Sequence, residues 1–106
     1  INCFLSTKVS FANEMYQYCE SIGVDYDKVV EYALYDKRLG TSHFSVPGPD
    51  GDFGFGGHCF PKDLAAMIYE MQNNDLTPTV LSATQQKNDE VRNNEDWKEM
   101  IGRAII

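Results

Sequence analysis

Apolar residues recur at three- and four-residue steps from about Asn2 to Ser21, at Leu5, Val9, Ala12, Tyr16 and Cys19. That spacing predicts one amphipathic helix, which Gly23 ends. Phe4, Phe11, Met15 and Tyr18 widen its apolar stripe beyond what one small core needs. Asp25 fits the N-cap of a second helix, with Val29, Val30, Ala33 and Leu34 on its buried face. Pro61 suits the first turn of a third helix. Its apolar face is Leu64, Met67, Ile68 and Met71, and Asn73-Asn74 ends it. Thr77-Pro78 opens a fourth helix through about Val91. A last helix is expected from about Glu95 through Trp97, Met100 and Ile101, weakened by Gly102. No stretch alternates as a strand, and no internal repeat is visible. The expected class is all-α.

Between Asp36 and Phe60 neither period survives. Six of the eight glycines fall there (Gly40, Gly48, Gly51, Gly54, Gly56 and Gly57), with Pro47 and Pro49. A loop of that length in a compact domain is functional or disordered. Its aromatic residues, Phe44, Phe53, Phe55 and Phe60, favour a packed functional loop.

The chain has 106 residues, about one small domain. An apolar fraction of 42 % with 24 % charged residues is ordinary globular composition. Nine Lys and Arg against 16 Asp and Glu give a net charge of −7. That balance argues against nonspecific nucleic-acid binding, which needs clustered cations, and against anionic membranes. No apolar run approaches the ~20 residues of a membrane span. An anionic substrate stays possible, because a few placed cations or helix N-termini hold one. Cys3, Cys19 and Cys59 are an odd number without a CxxC pair, which reads as a reducing, cytoplasmic compartment rather than a disulfide framework. The wide stripe on the first helix predicts a homodimer, since such a patch marks an interface.

The informative segment runs from Gly54 through Phe55, Gly56, Gly57, His58, Cys59, Phe60, Pro61 and Lys62 to Asp63. Its glycines let backbone approach a ligand closely. Orphan amides and the positive helix end would favour a thiolate at Cys59. Asp63, one turn on, could reach the same pocket, with Lys62 as a cation beside it. A lone cysteine is more often a buried filler, so residue chemistry alone leaves Cys59 open between the two readings. A dinucleotide G-x-G-x-x-G fails, because the third position is Cys59 and no strand precedes it. A P-loop fails for lack of Gly-Lys-Ser/Thr. His43, His58 and Cys59 lack paired metal-ligand spacing, so no metal is expected. Arg38 is open between a solvated helix-end charge and a functional one.

This segment resembles the catalytic-cysteine motif of the UDP-glucose/GDP-mannose dehydrogenase family. The stretch from Asn2 to Glu14 resembles the start of that family's central helix, and Asp36 to Gly40 matches its Asp-x-Arg-x-Gly element. The matches occur in the family's order. The resemblance implies that residues 1–106 are the family's central helical dimerisation domain, with a fold like the 6-phosphogluconate dehydrogenase C-terminal domain. It implies flanking NAD-binding and nucleotide-sugar-binding domains, and a C6 alcohol oxidised to a carboxylate with NAD. UDP-glucose is the expected substrate, with GDP-mannose or another UDP-sugar as the alternative. A non-catalytic dimerisation module is the alternative for these residues taken alone. By residue match, Cys59 is the nucleophile that forms the thiohemiacetal and thioester. Asp63 orients or activates water, and Asn2 holds the substrate oxygen. Phe55 and Gly56 line the sugar-nucleotide site, and Arg38 reaches the neighbouring subunit's substrate. Cys59, Phe60, Pro61 and Lys62 lie beside the nicotinamide. The family also places a catalytic Lys four residues before the position of Asn2, ahead of Ile1. The stretch from Ser45 to Asp52 is longer than in many members, so its role stays open.

Overall fold

The computed structural model describes residues 1–93, which form four helices: α1 (Asn2–Ser21), α2 (Tyr26–Ala33), α3 (Cys59–Asn73) and α4 (Thr79–Val91). There is no strand among the described residues, as the missing alternation predicts. The helix expected from Glu95 lies outside them. α1 is the central element and packs against each of the other three, while α3 and α4 also touch each other.

Local chemistry accounts for the ends. Gly23 sits at φ 71° just beyond α1, and the amide of Ile22 returns to the carbonyls of Tyr18 and Cys19. Asp25 caps α2, its carboxylate accepting from the Asp27 amide at 3.0 Å. α3 starts two residues before Pro61, so the missing proline amide falls in the first turn, where no intrahelical acceptor is needed.

The apolar core is split in two. Ala12, Cys19, Tyr26 and Val46 form one cluster, joined by Met15, Tyr16, Val30, Phe44 and Phe53. Phe55, Leu64 and Ile68 form the other, joined by Cys3, Val9, Phe60 and Leu81. The long loop therefore supplies buried residues to both clusters and is packed, as its aromatics suggest. Tyr26 donates its hydroxyl to the Phe44 carbonyl at 2.6 Å. Burial, helped by the nearby Cys19 and Asp27, pushes its phenol up to about 12, so the donor stays protonated.

Three details correct the sequence reading. On α2 the buried residue is Tyr26; Val30 and Leu34 are half-buried, while Val29 and Ala33 are exposed. The helix meets α1 through its first turn, so a face chosen by apolar character alone is rotated. Met67 of α3 is likewise exposed. Most of the buried side of α1 is polar: Ser6, Ser10 and Asn13 lie beside Ala12 and Cys19. Ser6 donates to the Asn2 carbonyl at 2.6 Å, and Ser10 crosses to the Thr84 carbonyl of α4 at 2.8 Å. Ser10 thus ties α1 directly to α4, and each hydroxyl has an acceptor. On the outer side, Phe4, Phe11 and Tyr18 are exposed at heptad steps, while Met15 is drawn into the core.

Candidate active site

The N-termini of α1 and α3 converge. Asn2, the first residue of α1, donates Nδ2 to Asp63 Oδ2 of α3 at 2.7 Å across 61 residues of sequence. The Cys3 thiol lies 3.6 Å from the Asp63 carbonyl oxygen, to which it donates. Each helix start leaves orphan backbone N–H groups and a positive dipole end, so the corner favours negative charge. Lys62 adds a solvent-exposed ion pair to Asp63 at 3.7 Å.

Cys59 is the first residue of α3 and its side is exposed, unlike buried Cys19 and half-buried Cys3. All three are free thiols. Exposure removes the buried-filler reading of Cys59. Cys59 lines a cavity of about 750 Å³ together with Phe60, Phe55, Gly56, Gly57 and His43. Phe55 and Phe60 meet edge to face at 6.0 Å, and His43 lies over Phe60 at 5.8 Å. That volume falls in the range that holds small organic ligands. The chemistry available is nucleophilic: an open thiol, a ligand-sized cavity beside it, and a carboxylate–amide pair one helical turn along.

Of the residues singled out in the sequence, Cys59, Phe55, Gly56 and Phe60 share the cavity wall. Asp63 and Asn2 are bound to each other beside it but do not line it. Pro61 and Lys62 continue the first turn of α3 away from the wall. Arg38 stands apart on an exposed turn. Its guanidinium binds Asp36 at 2.6 and 3.0 Å, and that hydrogen bond holds the Asp36 carboxyl below its usual range. The two histidines and Cys59 form no metal cluster, nor does any other group among the described residues.

Sequence reasoning missed what holds the wall. The Gly54 amide donates to Asn13 Oδ1 at 3.0 Å. The Phe55 amide donates to Asn88 Oδ1 at 2.7 Å, and Asn88 Nδ2 returns a bond to the Phe55 carbonyl at 2.9 Å. Both asparagines are buried, so each replaces a strand partner for a loop that has none. Gly54 is at φ 68°, and a Cβ there would fall on the Asn88 carboxamide. The signal available was polar residues at core positions of two helices, which only the long-range pairing explains.

The family model for the central domain of the UDP-glucose/GDP-mannose dehydrogenase family matches residues 1–90. Relatives named UDP-glucose 6-dehydrogenase are similar over most of the chain. That of Rickettsia bellii is 42% identical over 89 residues, 84% of this chain and 19% of the relative. That of Pseudomonas aeruginosa is 41% identical over 87 residues, 82% of this chain and 18% of the relative. That of Rhizobium meliloti is 37% identical over 105 residues, 99% of this chain and 22% of the relative. The chain thus spans about a fifth of the length of the curated relatives it matches.

Proposed function

The chain belongs to the UDP-glucose/GDP-mannose dehydrogenase family, and from that premise we propose that it is the central domain of a longer enzyme that oxidises UDP-glucose to UDP-glucuronate through Cys59. The observation that carries this reading is an exposed thiol at the start of α3, on the wall of a ligand-sized cavity. The names of the similar proteins favour UDP-glucose over GDP-mannose.

NAD is the oxidant in this proposal. A dinucleotide needs a βαβ unit, and the described residues are helices joined by loops, so they do not fit it. Its binding is assigned to flanking chain. The contribution of these residues is covalent. Cys59 Sγ, as thiolate, adds to the aldehyde carbon of the half-oxidised sugar. The thiohemiacetal becomes a thioester when that carbon gives up its hydride to the oxidant and its hydroxyl proton to solvent, and the sulfur stays bound until the thioester is hydrolysed. Asp63 takes a proton from the attacking water, and the sulfur leaves as thiolate. Asn2 is held by Asp63 and keeps its second Nδ2 hydrogen for a substrate oxygen.

The proposed assembly is a cytoplasmic homodimer, with Arg38 reaching the partner's substrate. The exposed Phe4, Phe11 and Tyr18 support it, since one helix face carries all three. No helix among the described residues is long and apolar enough to cross a membrane.

The test is NADH formation from UDP-glucose by the longer protein and its Cys59→Ser variant. A serine hydroxyl is far less acidic than a thiol, so turnover should fall ~10³-fold or more, about 4 kcal/mol of transition-state stabilisation. Near-normal turnover by Cys59→Ser overturns the covalent role. Oxidation of GDP-mannose in preference to UDP-glucose overturns the substrate assignment.

A further inference from the structure

Arg92 follows the last turn of α4, and its side chain is 0% exposed. Its Nη2 is 2.7 Å from Asp50 Oδ2, its Nε is 3.7 Å from Asp52 Oδ2, and its Nη1 donates to the Phe53 carbonyl at 3.4 Å. A buried guanidinium is costly unless its fork is paired, so these contacts fix where the strap from Gly48 to Phe53 lies. The strap is closed on itself. Gly48 donates to the Asp52 carbonyl and Gly51 to that of Gly48, both at 2.9 Å, while Asp50 Oδ1 accepts from the Asp52 amide at 3.1 Å. These bonds tie its two ends together, and Gly48, Pro49 and Asp50 line the same cavity as Cys59. One turn earlier on α4, Asn88 fixes Phe55 on the same wall. Asp50 remains half-exposed, and its carboxylate would repel an anionic ligand without its counter-ion.

We propose that Arg92 is a positioning residue for substrate binding, which sets the strap against the cavity and neutralises Asp50 on the wall where a nucleoside diphosphate sugar is held. The inference rests on the assignment of a nucleotide sugar to this cavity. Arg92 governs how tightly that anion is held and leaves the reactivity of Cys59 unchanged, because Cys59 is anchored on α3.

The experiment compares steady-state constants for the longer enzyme and three variants, Arg92→Met, Arg92→Lys and Asp50→Asn/Arg92→Met. For Arg92→Met, KM for UDP-glucose should rise about tenfold or more, with kcat within about threefold and KM for NAD unchanged. Arg92→Lys keeps the charge without the fork and should recover part of the loss. The double variant removes one unpaired carboxylate and should lie below Arg92→Met in KM. If Arg92→Met does not fold, Arg92→Lys alone decides. A KM within about 1.5-fold of wild type in Arg92→Lys, or a fall in kcat at unchanged KM in either single variant, overturns the proposal. A wild-type enzyme that shows no saturation with UDP-glucose overturns the substrate reading and this inference with it. That case is told apart because the wild type itself fails.

Discussion

Asn88→Ala strikes the wall of the cavity without touching any residue assigned to chemistry. The substitution removes two hydrogen bonds, to the amide and the carbonyl of Phe55, at 2.7 and 2.9 Å. Phe55 is 6% exposed and Asn88 3%, so bulk water does not reach the groups left behind. An unpaired buried backbone group costs ~1–3 kcal/mol, so the pair costs ~2–6 kcal/mol. Alanine is the better helix former and returns at most about 0.7 kcal/mol. The net loss should be ~1–5 kcal/mol. Urea unfolding followed by circular dichroism reads this as a lower midpoint at unchanged slope. Asn88→Asp keeps the acceptor but sets a carboxylate oxygen against the Phe55 carbonyl, and should be no more stable than alanine at neutral pH. A loss below ~0.5 kcal/mol for Asn88→Ala, the size of an ordinary surface substitution, would refute the account of how the wall is held.

Gly54→Ala should cost more than Gly51→Ala. Both glycines have positive φ, at 68° and 82°, but a Cβ at Gly54 meets the Asn88 carboxamide and one at Gly51 meets nothing within 4 Å. Gly51→Ala then carries only the ~1–2 kcal/mol of left-handed strain, and equal unfolding midpoints for the two variants would contradict the clash. Brief alkylation with iodoacetamide should label Cys59 first and Cys19 last, in the order of their exposure; peptide maps showing Cys19 ahead of Cys59 would rule that out. Arg92 holds the Asp50 carboxyl below its ordinary value of 3.8. The folded pKa is the lower one, so the contribution is complete above that value and is lost as pH falls through the folded pKa. Stability measured from pH 6 downwards should therefore fall less steeply in Asp50→Asn than in wild type, and parallel curves would count against the pair.

The helices were legible because each carries its own local signal. Gly23, the Asp25 cap and Asn73-Asn74 mark ends that the structure keeps, and the apolar steps from Leu5 to Cys19 trace α1. The faces were less legible. Apolar periodicity is blind to Ser6, Ser10 and Asn13, which are buried because a carbonyl one turn back satisfies Ser6 and distant groups satisfy Ser10 and Asn13. The same limit applies to the site. The glycine run and Cys59 lie within six residues of one another and read as a unit. Asn13, Asn88 and Arg92 serve that loop from 41, 33 and 42 residues away, and nothing near them in the chain says so. Arg38 illustrates the converse. Its local pairing with Asp36 is plain in the structure, and any wider role needs a second subunit.

The long separations of those clamps also set an order of assembly. Asn2 meets Asp63 across 61 residues and Arg92 meets Asp50 across 42. Closing such loops costs ~3–4 kcal/mol of chain entropy each, and no single side-chain bond offsets that. The clamps must therefore close together, after the helices have packed. During synthesis α1 and the glycine loop leave the ribosome before α4, and the loop has no partner for Phe55 until Asn88 has followed it. Up to that moment the thiol of Cys59 is carried on an unsupported segment, so the group to which the proposal gives the chemistry exists before its surroundings do. A chain interrupted between Asp63 and Asn88 would keep the cysteine and lose the cavity.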